Sequence, residues 1–140
     1  MSKNGKVHAI ILHCSDSDHQ HHDNVETLHQ WHVVERGFSQ IGYHYVITKD
    51  GKAHATRDES VQGAHCKDGG MNRGTIGICL TGKHGFSVAQ FRSLAELVRN
   101  MLEKYKLNDM DVYGHNAFSS KTCPNFSVQE FKDKYLKWRQ

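Results

Sequence analysis

A chain of 140 residues is near the size of one domain, and roughly 68–70% of its unfolded surface can be buried on folding, so one core is expected. Apolar residues make up 37% and charged residues 24%, without a long one-sided charge block, which excludes a disordered tail. A formal charge of +3 is compatible with an anionic polymer as partner but too weak to argue for nucleic acid, and no nucleic-acid partner is expected.

The N-terminal apolar run, Ala9 to Leu12, is shorter than the roughly 7–15 residues of a signal-peptide core and the roughly 20 of a membrane span. A chain that is cytoplasmic as synthesised, with no membrane partner, is the expectation. Cys14, Cys66, Cys79 and Cys123 show no close repeated spacing, so reduced thiols are expected rather than a disulfide framework. Twelve histidines are an outlying number that composition does not explain.

Val7 to His13 is β-branched and apolar and predicts a buried strand ending at His13. The polar run Ser15 to Asn24 is a loop. Asp23, three before Glu26, gives a capping-box-like start to a helix in which Val25, Leu28, Trp31 and His32 fall at helical spacing until Gly37 stops it. Tyr43, Tyr45 and Ile47 then alternate with His44, Val46 and Thr48, and Asp50-Gly51 signals a hairpin turn into a second strand from Lys52 to Arg57. Glu59 to Gly74 lacks periodicity and contains four glycines, which predicts a long loop of the kind that tends to carry function.

Thr75 to Leu80 reads as a central strand. Ser87 with Gln90 opens the longest helix, whose Phe91, Leu94, Val98, Met101, Leu102 and Tyr105 form one apolar stripe that must lie on a sheet. Asp111 to Gly114 is a short strand, and Ser127 with Glu130 caps a final helix bearing Val128, Phe131, Tyr135 and Trp138. The order β-α-β-β-β-α-β-α predicts a single α+β domain over residues 1–140 with a mixed central β-sheet flanked by helices.

The stretch YGHNAFSSKTCPNF, Tyr113 to Phe126, places the only proline of the chain directly after Cys123. One reading is a polar loop closed by Pro124 before the last helix. The other brings His115 and Cys123 to one metal ion. His13 ends the first strand and His115 follows the last, so adjacency of those two strands would set both imidazoles at one sheet edge. Two imidazoles and a thiolate suit zinc, and three protein ligands leave the fourth tetrahedral position open. Zinc lowers the pKa of water from roughly 16 to about 7, and hydrolysis of a carbonyl then needs oxyanion donors, for which Lys121 and Tyr43 are the candidates.

Each residue also has an ordinary reading. A histidine at a strand end is more often hydrogen-bonded or exposed than a ligand, and Cys123 has a buried thiol as its alternative. Cys14 and Cys79 lie in apolar strands, where core packing is the default. The cluster His19, His21 and His22 lacks a neighbouring cysteine or carboxylate at ligand spacing and reads as a solvated loop.

Ordered blocks across nearly the whole chain, IILHCS, HQWHVVERGF, IGYHYVITKDG, GAHCKDGGMNRGTIGICLTG and YGHNAFSSKTCPNF, resemble the zinc-dependent N-acetylmuramoyl-L-alanine amidases of the phage-lysozyme type, which share a fold with the peptidoglycan recognition proteins. The resemblance implies one zinc ion held by His13, His115 and Cys123, with Tyr43 and Lys121 assisting catalysis and His65 as a wall of the substrate groove. It also implies peptidoglycan as partner, cleavage of the amide between N-acetylmuramic acid and L-alanine, and action on the cell wall after release, as in an endolysin. A monomer is expected. The alternatives are a recognition module that holds peptidoglycan without cutting it, and an antibacterial amidase effector delivered by secretion. Trp31 matches the HQWH block but is equally readable as core.

Overall fold

Strand β1 (Ala9–Cys14) is sandwiched between two parallel neighbours, β4 (Thr75–Leu80) and β5 (Val112–Gly114). On the far side of β4 lies β2 (Tyr45–Ile47), also parallel, and β3 (Ala53–Ala55) closes that edge antiparallel to β2. The five-stranded order is β3-β2-β4-β1-β5, a mixed sheet as the element order predicts. The computed structural model describes residues 1–137; Trp138, expected on the last helix, lies outside them.

All six residues of β1 and all six of β4 are buried, which explains their near-continuous apolar reading: a parallel strand covered on both faces has no solvent side. Their two faces differ in company. Ile10, Leu12, Ile47, Ile76, Ile78 and Leu80 pack into the main core under helix α2 (Val88–Tyr105) and helix α3 (Val128–Phe131). On the other face, Val46 and Cys79 join Leu28 and Ile41 in a smaller cluster against helix α1 (Val25–His29), which continues as a wider π-type turn to Glu35.

Helix α2 begins as expected. Ser87 Oγ accepts from the Gln90 amide at 3.0 Å, and Gln90 Oε1 accepts from the Ser87 amide at 2.9 Å, a closed capping box. The same Gln90, fully buried, donates from Nε2 to the carbonyls of Ile47 and Thr81, so the cap also ties the helix to the ends of β2 and β4. Burying Leu94 and Val98 contributes about 1.5–3 kcal/mol each.

The start of α1 differs from expectation. Asn24, not Asp23, is the N-cap and accepts from the Thr27 amide at 2.7 Å. Asp23 instead accepts from the Lys49 amide at 2.9 Å and the Thr81 hydroxyl at 2.6 Å, tying the loop before α1 to the far ends of β2 and β4. Strands β2 and β3 are shorter than their alternation, and Tyr43 precedes β2 because the His44 amide bonds to Gly77 rather than continuing the hairpin. The Asp50-Gly51 turn is present, with Gly51 at φ +87°, where a side chain is disfavoured.

The long loop from 59 to 74 contains no strand and a single 3₁₀ turn, Asp68–Gly70. Its start is anchored by Glu59, which accepts from the hydroxyls of Tyr45 and Tyr105 and from Lys104 at 3.0 Å. Among the described residues no helix is long and apolar enough to cross a membrane.

Candidate metal centre

Parallel pairing of β1 with β5 sets Leu12 opposite Gly114, so His13 and His115, the next residue on each, emerge at the same sheet edge. The adjacency that the sequence required is therefore present. Their ring centroids are 4.8 Å apart and both residues are buried. The loop after His115 doubles back: the Asn116 amide donates to the Cys123 carbonyl at 2.8 Å, and the Asn125 amide to the Thr122 carbonyl at 2.9 Å. This turn, with a cis Cys123–Pro124 peptide, delivers the Cys123 Sγ to 3.8 Å from His13 Nδ1.

One donor atom from each of His13, His115 and Cys123 lies within 4.8 Å of the other two. Nitrogen and sulfur ligands of a tetrahedral zinc stand about 3.3–3.6 Å apart, so these side chains need only small shifts to close on an ion. The donor set fits. Burial and the neighbouring His65 and His115 hold His13 well below the ordinary imidazole range, so its ring stays neutral, the form that binds metal. The Cys14 thiol beside it and burial hold the Cys123 thiol well up, so an adjacent cation is what would draw out its thiolate. The Cys14 amide already points at that sulfur from 3.3 Å.

The three groups line a cleft of about 700 Å³, and the other sequence-selected residues fall around it. Tyr43 stacks at a tilt on His13, with centroids 5.0 Å apart, and packs against Cys79. Burial and the nearby thiols push its hydroxyl well above the usual phenol range, so it remains a donor. Lys121 is exposed on the cleft rim, carried by a turn rather than the extended segment assumed from spacing, with its amide donating to Ser119 Oγ at 3.2 Å. Trp31, which the sequence also allows as core, packs on the small cluster with Leu28 and lines the cleft.

His65, expected as a groove wall, lines the cleft with 8% exposure and has both ring nitrogens engaged, one by His13 at 2.9 Å and one by the Thr75 hydroxyl at 3.1 Å. Its ring occupies space that only glycine leaves open, since a Cβ at Gly63 or Gly77 would stand 2.5 Å from it. Sequence reasoning missed Asp68, whose Oδ2 is 3.2 Å from His115 Nε2, and Thr75; the length of the glycine-rich loop was the one available signal. Cys66, Asp68 and His115 form a second group within 4.8 Å, sharing His115 with the first. Among the described residues the His19, His21 and His22 cluster belongs to no such group; His19 and His21 are exposed, and His22 pairs with Ser17 and packs on Trp31.

Comparison with known proteins gives the family and the fold. The family model described as N-acetylmuramoyl-L-alanine amidase matches residues 3–126. The endolysin of Escherichia phage T7 is 34% identical over 134 residues, covering 90% of this chain and 85% of that protein. Among solved structures, the endolysin N-acetylmuramoyl-L-alanine amidase LysCS from Clostridium intestinale URNW superposes with a TM-score of 0.80 at 30% identity, over 94% of this chain and 84% of that one. The Apis mellifera PGRP-SA structure, at 20% identity, shares the fold with a TM-score of 0.79 over 99% of this chain and 92% of its own. The chain belongs to the N-acetylmuramoyl-L-alanine amidase family and is a hydrolase.

Proposed function

We propose that the chain is an endolysin-type enzyme that cleaves the amide joining the lactyl group of N-acetylmuramic acid to L-alanine in bacterial peptidoglycan, using one zinc ion held by His13, His115 and Cys123. The observation that carries this reading is the convergence of those three donor atoms in the wall of the cleft. A zinc ion held there would supply Lewis acidity and lower the pKa of a water toward neutral pH.

The chain's own groups do the rest. His13 and His115 would each hold the ion through a ring nitrogen, and Cys123 would add a thiolate whose charge offsets part of the metal's. Tyr43, kept protonated by its buried setting, offers an O–H toward the attacked carbonyl. Lys121, which also lines the cleft, brings a cation to the oxygen on which negative charge develops as the carbonyl becomes tetrahedral. Trp31 gives the groove an apolar wall against which a sugar or stem peptide can lie. The protein acts as a monomer on the cell wall after release from the cell in which it is made.

Incubation of purified protein with bacterial sacculi tests this directly. Free stem peptides should appear, a chelator should stop their release, and zinc should restore it. Binding to sacculi without release under zinc-replete conditions would replace the enzyme by a recognition module.

A further inference from the structure

The ring nitrogen that each histidine turns toward the cleft is decided by groups outside the three donors. The Thr75 hydroxyl is fully buried and has one proton, and its oxygen stands 2.7 Å from the Met71 carbonyl and 3.4 Å from that of Asn72, both of which can only accept. The proton goes to Met71. Thr75 Oγ1 must then accept from His65, 3.1 Å away, so the proton of a neutral His65 ring is on Nε2. That leaves His65 Nδ1 bare and 2.9 Å from His13 Nε2, which must be the protonated nitrogen of its own ring. His13 Nδ1 is thereby left as a lone pair, the atom that faces Cys123 Sγ. A neutral His115 ring reaches the same outcome by a shorter route: the Asp68 carboxylate can only accept, so it takes the proton of Nε2 in a hydrogen bond and leaves Nδ1 bare.

We infer that the loop from His65 to Thr75 is a tautomer lock for the metal centre, in which Thr75 acting through His65, and Asp68 acting directly, hold His13 and His115 with Nδ1 deprotonated and aimed at the ion. This deepens the zinc reading above and rests on it. These are positioning residues, since none of Thr75, His65 and Asp68 is asked to touch the substrate or the ion. The loop is built for the task. Asn72 Oδ1 accepts from the amides of His65 and Cys66 at 2.8 and 2.7 Å and so fixes where the His65 ring starts, and Gly63 and Gly77 leave the slot that receives it. A ligand whose orientation is set beforehand loses less entropy on binding, and outer partners of this kind typically account for 10–100-fold in metal affinity.

The test uses the full chain as wild type, Thr75→Val, Thr75→Ser and Asp68→Asn. Two properties are read: zinc affinity by competition with a chromogenic chelator, and ¹⁵N imidazole shifts of the metal-free protein, which report the protonated nitrogen of each ring. The wild type should show His13, His65 and His115 protonated at Nε2. Thr75→Val should lower zinc affinity about 10–100-fold and let His65 and His13 mix tautomers, Thr75→Ser should restore both, and Asp68→Asn should lower affinity about tenfold. A metal-free wild type with His13 protonated at Nδ1 would overturn the inference, as would a Thr75→Val protein that binds zinc as tightly as the wild type. If the wild type bound no zinc at all, the functional reading would fall, while the ring shifts would still decide the tautomers. The shifts are read on the unmutated chain, so poor folding of a variant cannot rescue the idea.

Discussion

The two faces of one sheet have been put to different uses. On β4, Ile76, Ile78 and Leu80 enter the main core beneath α2 and α3, while Thr75, Gly77 and Cys79, alternating with them, line the side that holds His65, His44 and Tyr43. On β1, Ile10 and Leu12 join the core and His13 turns to the cleft. One face stabilises by apolar area, with few directional demands. The other adds to its smaller apolar cluster a set of hydrogen-bonded rings whose donors and acceptors must all match, because an unpaired polar group buried there costs about 1–3 kcal/mol. Damage to the first should appear as lost stability, and damage to the second as lost metal affinity and activity.

The largest expected effect is at the metal centre. Cys123→Ser should lower zinc affinity roughly 10²–10³-fold, one ligand's share of a binding free energy of about 10–16 kcal/mol, and take amide hydrolysis to background at ordinary zinc levels. Chelator competition and peptide release check it, and unfolding of the metal-free protein should change little. Leu94→Ala is the mirror case. It should cost about 2–5 kcal/mol in a denaturant titration while the remaining folded protein binds zinc as before. If both substitutions changed stability and metal affinity alike, the division of labour between the faces would be wrong.

Lys121→Ala should leave zinc bound and lower turnover about 10²–10³-fold, measured on sacculi at saturating zinc. Full activity would remove Lys121 from the oxyanion role. Gly77→Ala sharpens the comparison within one strand, since its Cβ would drive into His65 without entering the main core. Zinc affinity should fall about 10–100-fold, with a smaller change in stability than Leu94→Ala produces.

The acid response of the metal-free fold is smaller. His32 and His44 each accept a backbone amide at Nδ1, from Gly42 at 2.9 Å and from Gly77 at 3.0 Å. Burial, with Arg36 and Arg57 nearby, lowers His32 to about 4, and burial also lowers His44. An unfolded imidazole titrates near 6.5, so below that pH the unfolded chain binds more protons than the folded one and stability must rise with pH. The contribution should be complete above about pH 6.5 and be lost as the pH falls toward 4, read as the melting temperature of the zinc-free protein. The smallest effect is Ser87→Ala, which removes the α2 cap for about 1 kcal/mol and should leave activity intact.

Patterns with a short repeat were legible from the chain itself. Apolar stripes, the Ser87-Gln90 box, the Asp50-Gly51 turn and the continuous apolar runs of β1 and β4 are written in neighbouring residues, and the local physics that shapes them acts over the same few positions. Spacing offered the three donors, Tyr43 and Lys121 as candidates, and the family likeness implied their roles. The cap of α1 was misassigned to Asp23 because a carboxylate three before Glu26 looks the same whether it bonds its own helix or reaches across to Lys49 and Thr81.

What only the tertiary structure decided is which distant groups share a hydrogen bond. Nothing near His65 in sequence says that its ring lies behind His13, and nothing near Asp68 says that its carboxylate meets His115 across 47 positions. A hydrogen bond forms over about 3 Å and in one direction, so its partners are chosen by strand order, loop path and the space left by two glycines. Sequence alone determined the elements, the core and the likeness to an amidase. The folded chain determined the direction in which each imidazole presents its lone pair, because that depends on atoms brought together only when the sheet is assembled.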